Sequence, residues 1–233
     1  VGTIQQATPA QAQEAIAIAL DAQRDWASTS VQDRAAILRK AADLFEDNAA
    51  ELFAILQREA GKTINDAISE VREAVDFLRY YAKEAKHAER ETQARGVIVC
   101  VSPWNFPLAI FIGQISAALV TGNTVVAKSA EQTPLVAHKA VQLLLKAGIT
   151  PEALHLIPGK GADIGQTLVS DPRIAGVCFT GSTATAQTIN KAIADNADSD
   201  AILIAETGGL NAMIMDSSAL PEQVVRDVVA SAF

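Results

Sequence analysis

The stretch from Gly96 to Pro107, GVIVCVSPWNFP, constrains the fold of this chain more than any other. Val97, Ile98, Val99, Cys100 and Val101 form a continuous apolar, mostly β-branched run, the pattern of a strand buried on both faces. Ser102-Pro103 ends it, because proline has no N–H to give to a ladder. Trp104, Asn105 and Phe106 then fall on a tight loop, and Pro107 starts the next element. Open α/β sheets bind ligands beyond the carboxyl ends of such strands. Asn105 carries the most chemistry there, since its side-chain NH₂ can donate to an oxygen that becomes anionic during a reaction.

The rest of the chain supplies the partners of such a strand. Up to about residue 90 the pattern is helical. Thr8-Pro9 with Gln11 spells a helix start. A second helix follows Ser30, with Ile37, Leu38, Ala41, Leu44, Phe45, Leu52, Ile55 and Leu56 on its core stripe and Gly61 as its stop. A third runs from Thr63 to about Arg90. From Gly96 onward strands and helices alternate. Further strands are expected at Asn123–Lys128, Leu154–Pro158, Ile174–Thr180 and Ala201–Ala205, with another short one at Ala212–Met215. Helices are expected from a Thr133-Pro134 cap to Gly148, from Ser182, and over Leu220–Phe233. The fold class is α/β: a doubly wound, mostly parallel, Rossmann-like sheet (residues 95–233) behind an N-terminal helical segment (residues 1–94), built as one unit.

Composition narrows the function. A net charge of −8 argues against nucleic acid and anionic membrane as partners. No apolar stretch has transmembrane length, and no signal peptide is evident. Cys100 and Cys178 each lie inside an apolar run, which fits a reducing, cytoplasmic setting and two inert core thiols with raised pKa. His87, His138 and His155 share no ligand spacing, so no metal site is expected. The chain starts at Val1, and a helical pattern is still running at Phe233, so both ends read as cut from a longer polypeptide.

Four stretches at strand ends could carry chemistry. Phe179-Thr180-Gly181-Ser182 closes a strand and opens a helix, so its free N–H groups and hydroxyl suit a phosphate, or Ser182 is simply an N-cap. Pro158-Gly159-Lys160-Gly161 with Gly165 spells G-x-G-x-x-x-G, one residue longer than the dinucleotide fingerprint; a plain strand-to-helix turn would also explain it. Lys128 and Glu131 could hold the two hydroxyls of a ribose, or form a solvated pair. Glu206 follows Ile202–Ala205; partial desolvation there would raise its pKa toward that of a general base, unless it caps or pairs locally.

Taken together, PWNFP, the Lys128/Glu131 pair, FTGS and ETGG resemble the aldehyde dehydrogenase superfamily in letters, order and approximate interval, and the likeness extends over REAGKT at Arg58–Thr63. EVREAVDFLRYYA, AEQTP and ETGGLNAMIMDSSALPEQVV are similar to its L-glutamate γ-semialdehyde (1-pyrroline-5-carboxylate) dehydrogenase branch, the module carried by bifunctional proline utilization flavoenzymes. The resemblance implies NAD as cofactor, any FAD belonging to a separate domain, and a small aldehyde as substrate. It implies that Asn105 donates to the oxyanion and that Glu206 activates the deacylating water. It places Lys128 and Glu131 on the adenosine ribose, and Gly161 and Gly165 beside the adenosine end. It puts Ser102, Pro103, Trp104, Thr180, Gly181, Ser182, Thr207 and Gly208 around the rest of the coenzyme. The family's nucleophilic cysteine lies beyond Glu206, and no cysteine follows Cys178. The nucleophile, the substrate loop and the oligomerisation strand of a homo-oligomeric parent are thus expected outside these residues, leaving the chain inactive alone. Two rivals are an acylating branch of the same fold, which would not need Glu206, and a non-catalytic dehydrogenase-like module, which would not need Asn105, Lys128, Ser182 and Glu206.

Overall fold

The computed structural model describes residues 2–88, 93–210 and 212–232. Five strands, β1 (Val97–Val101), β2 (Thr124–Lys128), β3 (Leu154–Leu156), β4 (Ile174–Thr180) and β5 (Ile202–Glu206), form one sheet in the order β3-β2-β1-β4-β5. Every pairing is parallel. The pleat sends alternate side chains of β1 to opposite faces. Ile98 and Cys100 join one core with α2 (Val31–Asp47), α3 (Ala49–Ala60), α4 (Ile64–Ala88), α5 (Ala109–Val120) and α6 (Pro134–Ala147). Val97 and Val99 join the other with α1 (Pro9–Ser28), α7 (Gln166–Val169) and α8 (Thr183–Asn196). Both faces are therefore covered, which is why β1 reads as an unbroken apolar run.

The N-terminal helices are not a separate layer. They divide between the two faces. α1 starts with the expected capping box, in which Thr8 and Gln11 bond reciprocally. It then lies along the sheet, where the Thr124 hydroxyl donates to Ala19 O at 2.9 Å and the Thr124 N–H to Gln23 Oε1 at 2.8 Å. Arg34 on α2 is buried and donates to the carbonyls of Val120 at 2.9 Å and Ala27 at 3.1 Å, and also to that of Thr29. One guanidinium thus serves carbonyls at the C-terminal ends of both α5 and α1.

The sequence pattern misleads in three places. Residues 31–60 do not make one helix. Asn48 (φ −104°, ψ 14°) separates α2 from α3, and its side-chain amide donates to Leu44 O at 2.8 Å. That local bond competes with helix continuation, while the apolar stripe carries on because both helices face one core. Ala212–Met215 is not a strand: Ile214 is 92 % exposed, and no ladder partner reaches the segment among the described residues. β3 stops at Leu156, although Ile157 N still donates to Ala127 O at 2.8 Å. The expected helix ends at Arg90 and Phe233 lie outside the described residues, as does Asn211 of the ETGG segment.

Candidate functional site

β1 has β2 on one side and β4 on the other, so the chain winds outward in both directions from β1. A sheet of this order opens a crevice at the carboxyl ends of the two strands where the winding reverses. Here that crevice measures about 980 Å³. The loop after β1 supplies Ser102, Pro103, Trp104 and Asn105. The ends of β2 and β4 supply Lys128 with Glu131 and Thr180–Ser182, and β5 supplies Glu206 and Thr207. Gly161 and Gly165 come from the turn after β3. Every residue expected to act in catalysis or to hold the coenzyme lines this crevice except Gly208.

The turn after β3 explains the glycine spacing. Gly161–Gly165 is one π-helical turn, in which Gly165 N donates to Lys160 O at 3.3 Å. A π turn takes one residue more than an α turn, which accounts for the extra position in G-x-G-x-x-x-G. Gly159 is fixed by packing, since a Cβ there would sit 2.4 Å from Ile164 Cγ1. Glu131 is exposed, but its carboxylate is tied down. Its Oε1 accepts the Gly161 N–H at 2.7 Å.

Lys128 is 5 % exposed, and its ammonium donates to Ser129 O at 3.1 Å. Burial pushes its pKa below the ordinary lysine value, and the Glu131 charge offsets part of that. Ser102 is 6 % exposed, and its hydroxyl has no hydrogen-bond partner among the described residues, an orphaned polar atom on the crevice wall. Ser182 is a helix cap: its Oγ accepts the Thr185 N–H at 3.1 Å at the start of α8. It lines the crevice as well, so the two readings of this residue coexist.

Two expectations about ionisable groups need correction. Glu206 is not desolvated. Among the described residues β5 is one of the two edge strands, and from Ile204 onward its residues are exposed. Cys178 packs against the core but is not fully buried, and its pKa is not raised. It faces Cys100 across β1 and β4 and is only partly buried. A hydrogen bond from the Cys100 thiol lowers the Cys178 pKa. Cys100, which donates that bond inside the core, is pushed well above its ordinary value by the bond and by burial. Neither thiol lines the crevice.

Three supporting residues are invisible in the sequence pattern. Gln114 of α5 donates through its side-chain amide to Val101 O at 3.3 Å and to Thr180 Oγ1 at 3.2 Å, which ties the ends of β1 and β4 across the crevice floor. Glu70 accepts from the first N–H groups of α5, and Glu59 from those of α6. Thr133, expected to cap α6, makes no side-chain cap bond. Each of these links joins residues 13 or more positions apart, so no local motif announces them.

Among the described residues no group of three or more His, Cys, Asp or Glu side chains could hold a metal ion, and no helix is long and apolar enough to cross a membrane.

The family model described as "Aldehyde dehydrogenase family" matches residues 1–233. The chain belongs to the aldehyde dehydrogenase family. Among its relatives in this family, it is 53 % identical over 238 residues to the bifunctional protein PutA of Klebsiella aerogenes, a match covering 100 % of this chain and 18 % of that protein. It is 38 % identical over 250 residues to the 1-pyrroline-5-carboxylate dehydrogenase of Geobacillus kaustophilus, covering 100 % of this chain and 48 % of that one. A crystal structure of a Bradyrhizobium japonicum proline utilization A mutant superposes with a TM-score of 0.93 at 51 % identity, over 99 % of this chain and 25 % of that one. The chain thus spans about a fifth of its PutA relatives and about half of the dehydrogenase.

Proposed function

We propose that these residues are the coenzyme-binding portion of an NAD-dependent aldehyde dehydrogenase that oxidises L-glutamate γ-semialdehyde to L-glutamate in proline catabolism. The observation that carries this reading is the opening of Asn105 and Glu206 onto the same crevice as Lys128 and Ser182. The relatives support the substrate, because PutA and 1-pyrroline-5-carboxylate dehydrogenase align with this chain along its whole length, at 53 % and 38 % identity.

The residues present fit a dinucleotide. A buried cation, an orphaned Ser102 hydroxyl and the start of α8 stand around one large crevice. NAD, when bound, supplies the hydride acceptor. Lys128 and Glu131 hold the adenosine ribose beside Gly161 and Gly165, and the Glu131 charge disfavours a 2′-phosphate, hence NAD over NADP. Ser102, Pro103 and Trp104 on one side and Thr180–Ser182 on the other hold the pyrophosphate, with Thr207 nearby. Asn105 donates its amide N–H to the substrate oxygen as that oxygen gains charge in the tetrahedral state. Glu206, open to solvent, takes the proton of the water that releases the acid.

The attacking thiolate is neither Cys100 nor Cys178, so it comes from outside these 233 residues, which alone turn over no aldehyde. The complete gene product is a cytoplasmic homo-oligomer, with any FAD in another domain. Two measurements test the reading. Calorimetric titration of the chain should show NAD binding in preference to NADP. The complete gene product should reduce NAD with L-glutamate γ-semialdehyde while the 233-residue chain does not. Turnover by the chain alone, or a complete product with no aldehyde activity, would overturn it.

A further inference from the structure

The loop that carries Asn105 has little packing of its own. Trp104, Asn105 and Phe106 are all exposed. An oxyanion donor must nevertheless be in place before charge develops, because its value lies in needing no reorganisation. Two polar residues from the α3–α4 region brace the loop.

The first is Glu70. α5 begins just behind the loop with Leu108 at its N-cap, a residue with no oxygen to offer the first N–H groups. Glu70, reaching over from α4 and 1 % exposed, fills that role. Its Oε2 accepts from Ala109 N at 2.9 Å and from Leu108 N at 3.3 Å. A carboxylate is also the charge that a helix N-terminus favours.

The second is Lys62. Its Nζ lies 3.1 Å from Glu70 Oε1, so the buried carboxylate is paired. The same ammonium stands 4.4 Å from the centroid of the Phe106 ring, in cation–π range. Lys62 follows Gly61, whose φ of 67° sharply ends α3 and turns the chain toward α4. One cation therefore pairs with the carboxylate that caps α5 and touches the residue next to Asn105 at once.

We propose that Lys62 and Glu70 are positioning residues for Asn105: Glu70 fixes the start of α5, Lys62 pins Phe106, and together they hold the Asn105 amide toward the crevice. The proposal rests on the aldehyde dehydrogenase reading, which assigns Asn105 its role. Positional errors of about 1 Å at a reacting centre cost on the order of a hundredfold in rate, so a modest loosening should be readable.

The test uses the complete gene product. Lys62→Met keeps the stem and removes the charge, and should lower kcat about tenfold or more while leaving the Kd for NAD within about twofold. Lys62→Arg, which can keep both contacts, should retain most of the activity. In an Asn105→Ala background Lys62→Met should cost nothing further, because its effect runs through Asn105. An unchanged kcat, or a full additive loss in the Asn105→Ala background, overturns the proposal. If Lys62→Met fails to fold, Phe106→Leu removes the cation–π contact alone and should give the same non-additive loss. A wild-type gene product without aldehyde activity would instead sink the dehydrogenase reading. Hydrogen exchange across residues 104–109 would then decide the bracing itself: Lys62→Met must speed it, and unchanged exchange overturns it.

Discussion

The Glu131 carboxylate accepts the Gly161 N–H at 2.7 Å, and so fastens the loop behind β2 to the π-helical turn behind β3. The bond holds a negative charge on one wall of the crevice. Glu131→Gln keeps an acceptor for Gly161 and removes only the charge. The fold should therefore survive, and the ratio of NADP to NAD affinity should rise by about tenfold, the scale of one charge–charge term near a protein surface. Titration with both coenzymes measures the ratio, and no change would remove Glu131 from coenzyme choice.

Lys128 has the opposite cost and benefit. Burial lowers its pKa, so the folded state carries a penalty for the ammonium at every pH below that lowered value. The penalty fades as pH climbs from the folded pKa toward the ordinary lysine value of 10.5. Lys128→Met should thus be no less stable than the wild type near neutral pH, with the wild type gaining on the variant as the solution becomes alkaline. NAD affinity should fall about tenfold or more, the worth of a charge-assisted hydrogen bond. Denaturant melts at neutral and alkaline pH, together with a coenzyme titration, check both halves. A large loss of stability in the variant at neutral pH would mean that the ammonium is a structural tie.

Most of this architecture was legible in the sequence because it is local. The β-branched runs mark β1, β2 and β4, and Gly61 and Gly148 mark the ends of α3 and α6. The strand-end motifs could be placed at one rim because a doubly wound sheet has one rim. The failures have a common cause in contacts between distant residues. No local motif marks Glu59 or Glu70, yet each reaches the start of another helix. The register that sets Cys100 opposite Cys178 is a property of the β1–β4 pair and of neither strand alone. Glu206 was expected to be desolvated because Ile202–Ala205 is apolar, but apolarity does not say whether a strand is central or at an edge.

Glu59 offers a stability test free of the catalytic question. Its two oxygens accept from Leu135 N at 2.7 Å and Val136 N at 2.9 Å at the start of α6, where Thr133 makes no cap bond. Desolvation still holds its pKa above the ordinary value. The sign follows: the stability from a neutral Glu59 is complete below the ordinary carboxylate pKa and declines as pH rises through the folded value. Glu59→Gln should therefore be mild at neutral pH, since one amide oxygen still accepts. Glu59→Ala should cost about 1–2 kcal/mol, the range for a lost helix cap. Urea melts of both variants separate the cap from the charge, and equal losses would show that the charge itself matters.

Glu206 separates the oxidising reading from its acylating rival. It stands at the exposed end of β5, where its backbone carbonyl accepts the Gly181 N–H at 3.1 Å and ties that strand end to the FTGS turn. The backbone tie does not depend on the side chain, so Glu206→Gln should leave the fold and the coenzyme site intact. On the proposed reading, only the proton acceptor for the water is lost. In the complete gene product the variant should still pass through the reducing half-reaction once, giving a burst of NADH close to one per site. It should then turn over slowly, with acyl-enzyme visible by intact-mass measurement. A variant that releases free acid at the wild-type rate, with no burst, would strip Glu206 of its role, whereas a wild-type gene product that yields an acyl thioester or acyl phosphate in place of free acid would favour the acylating branch.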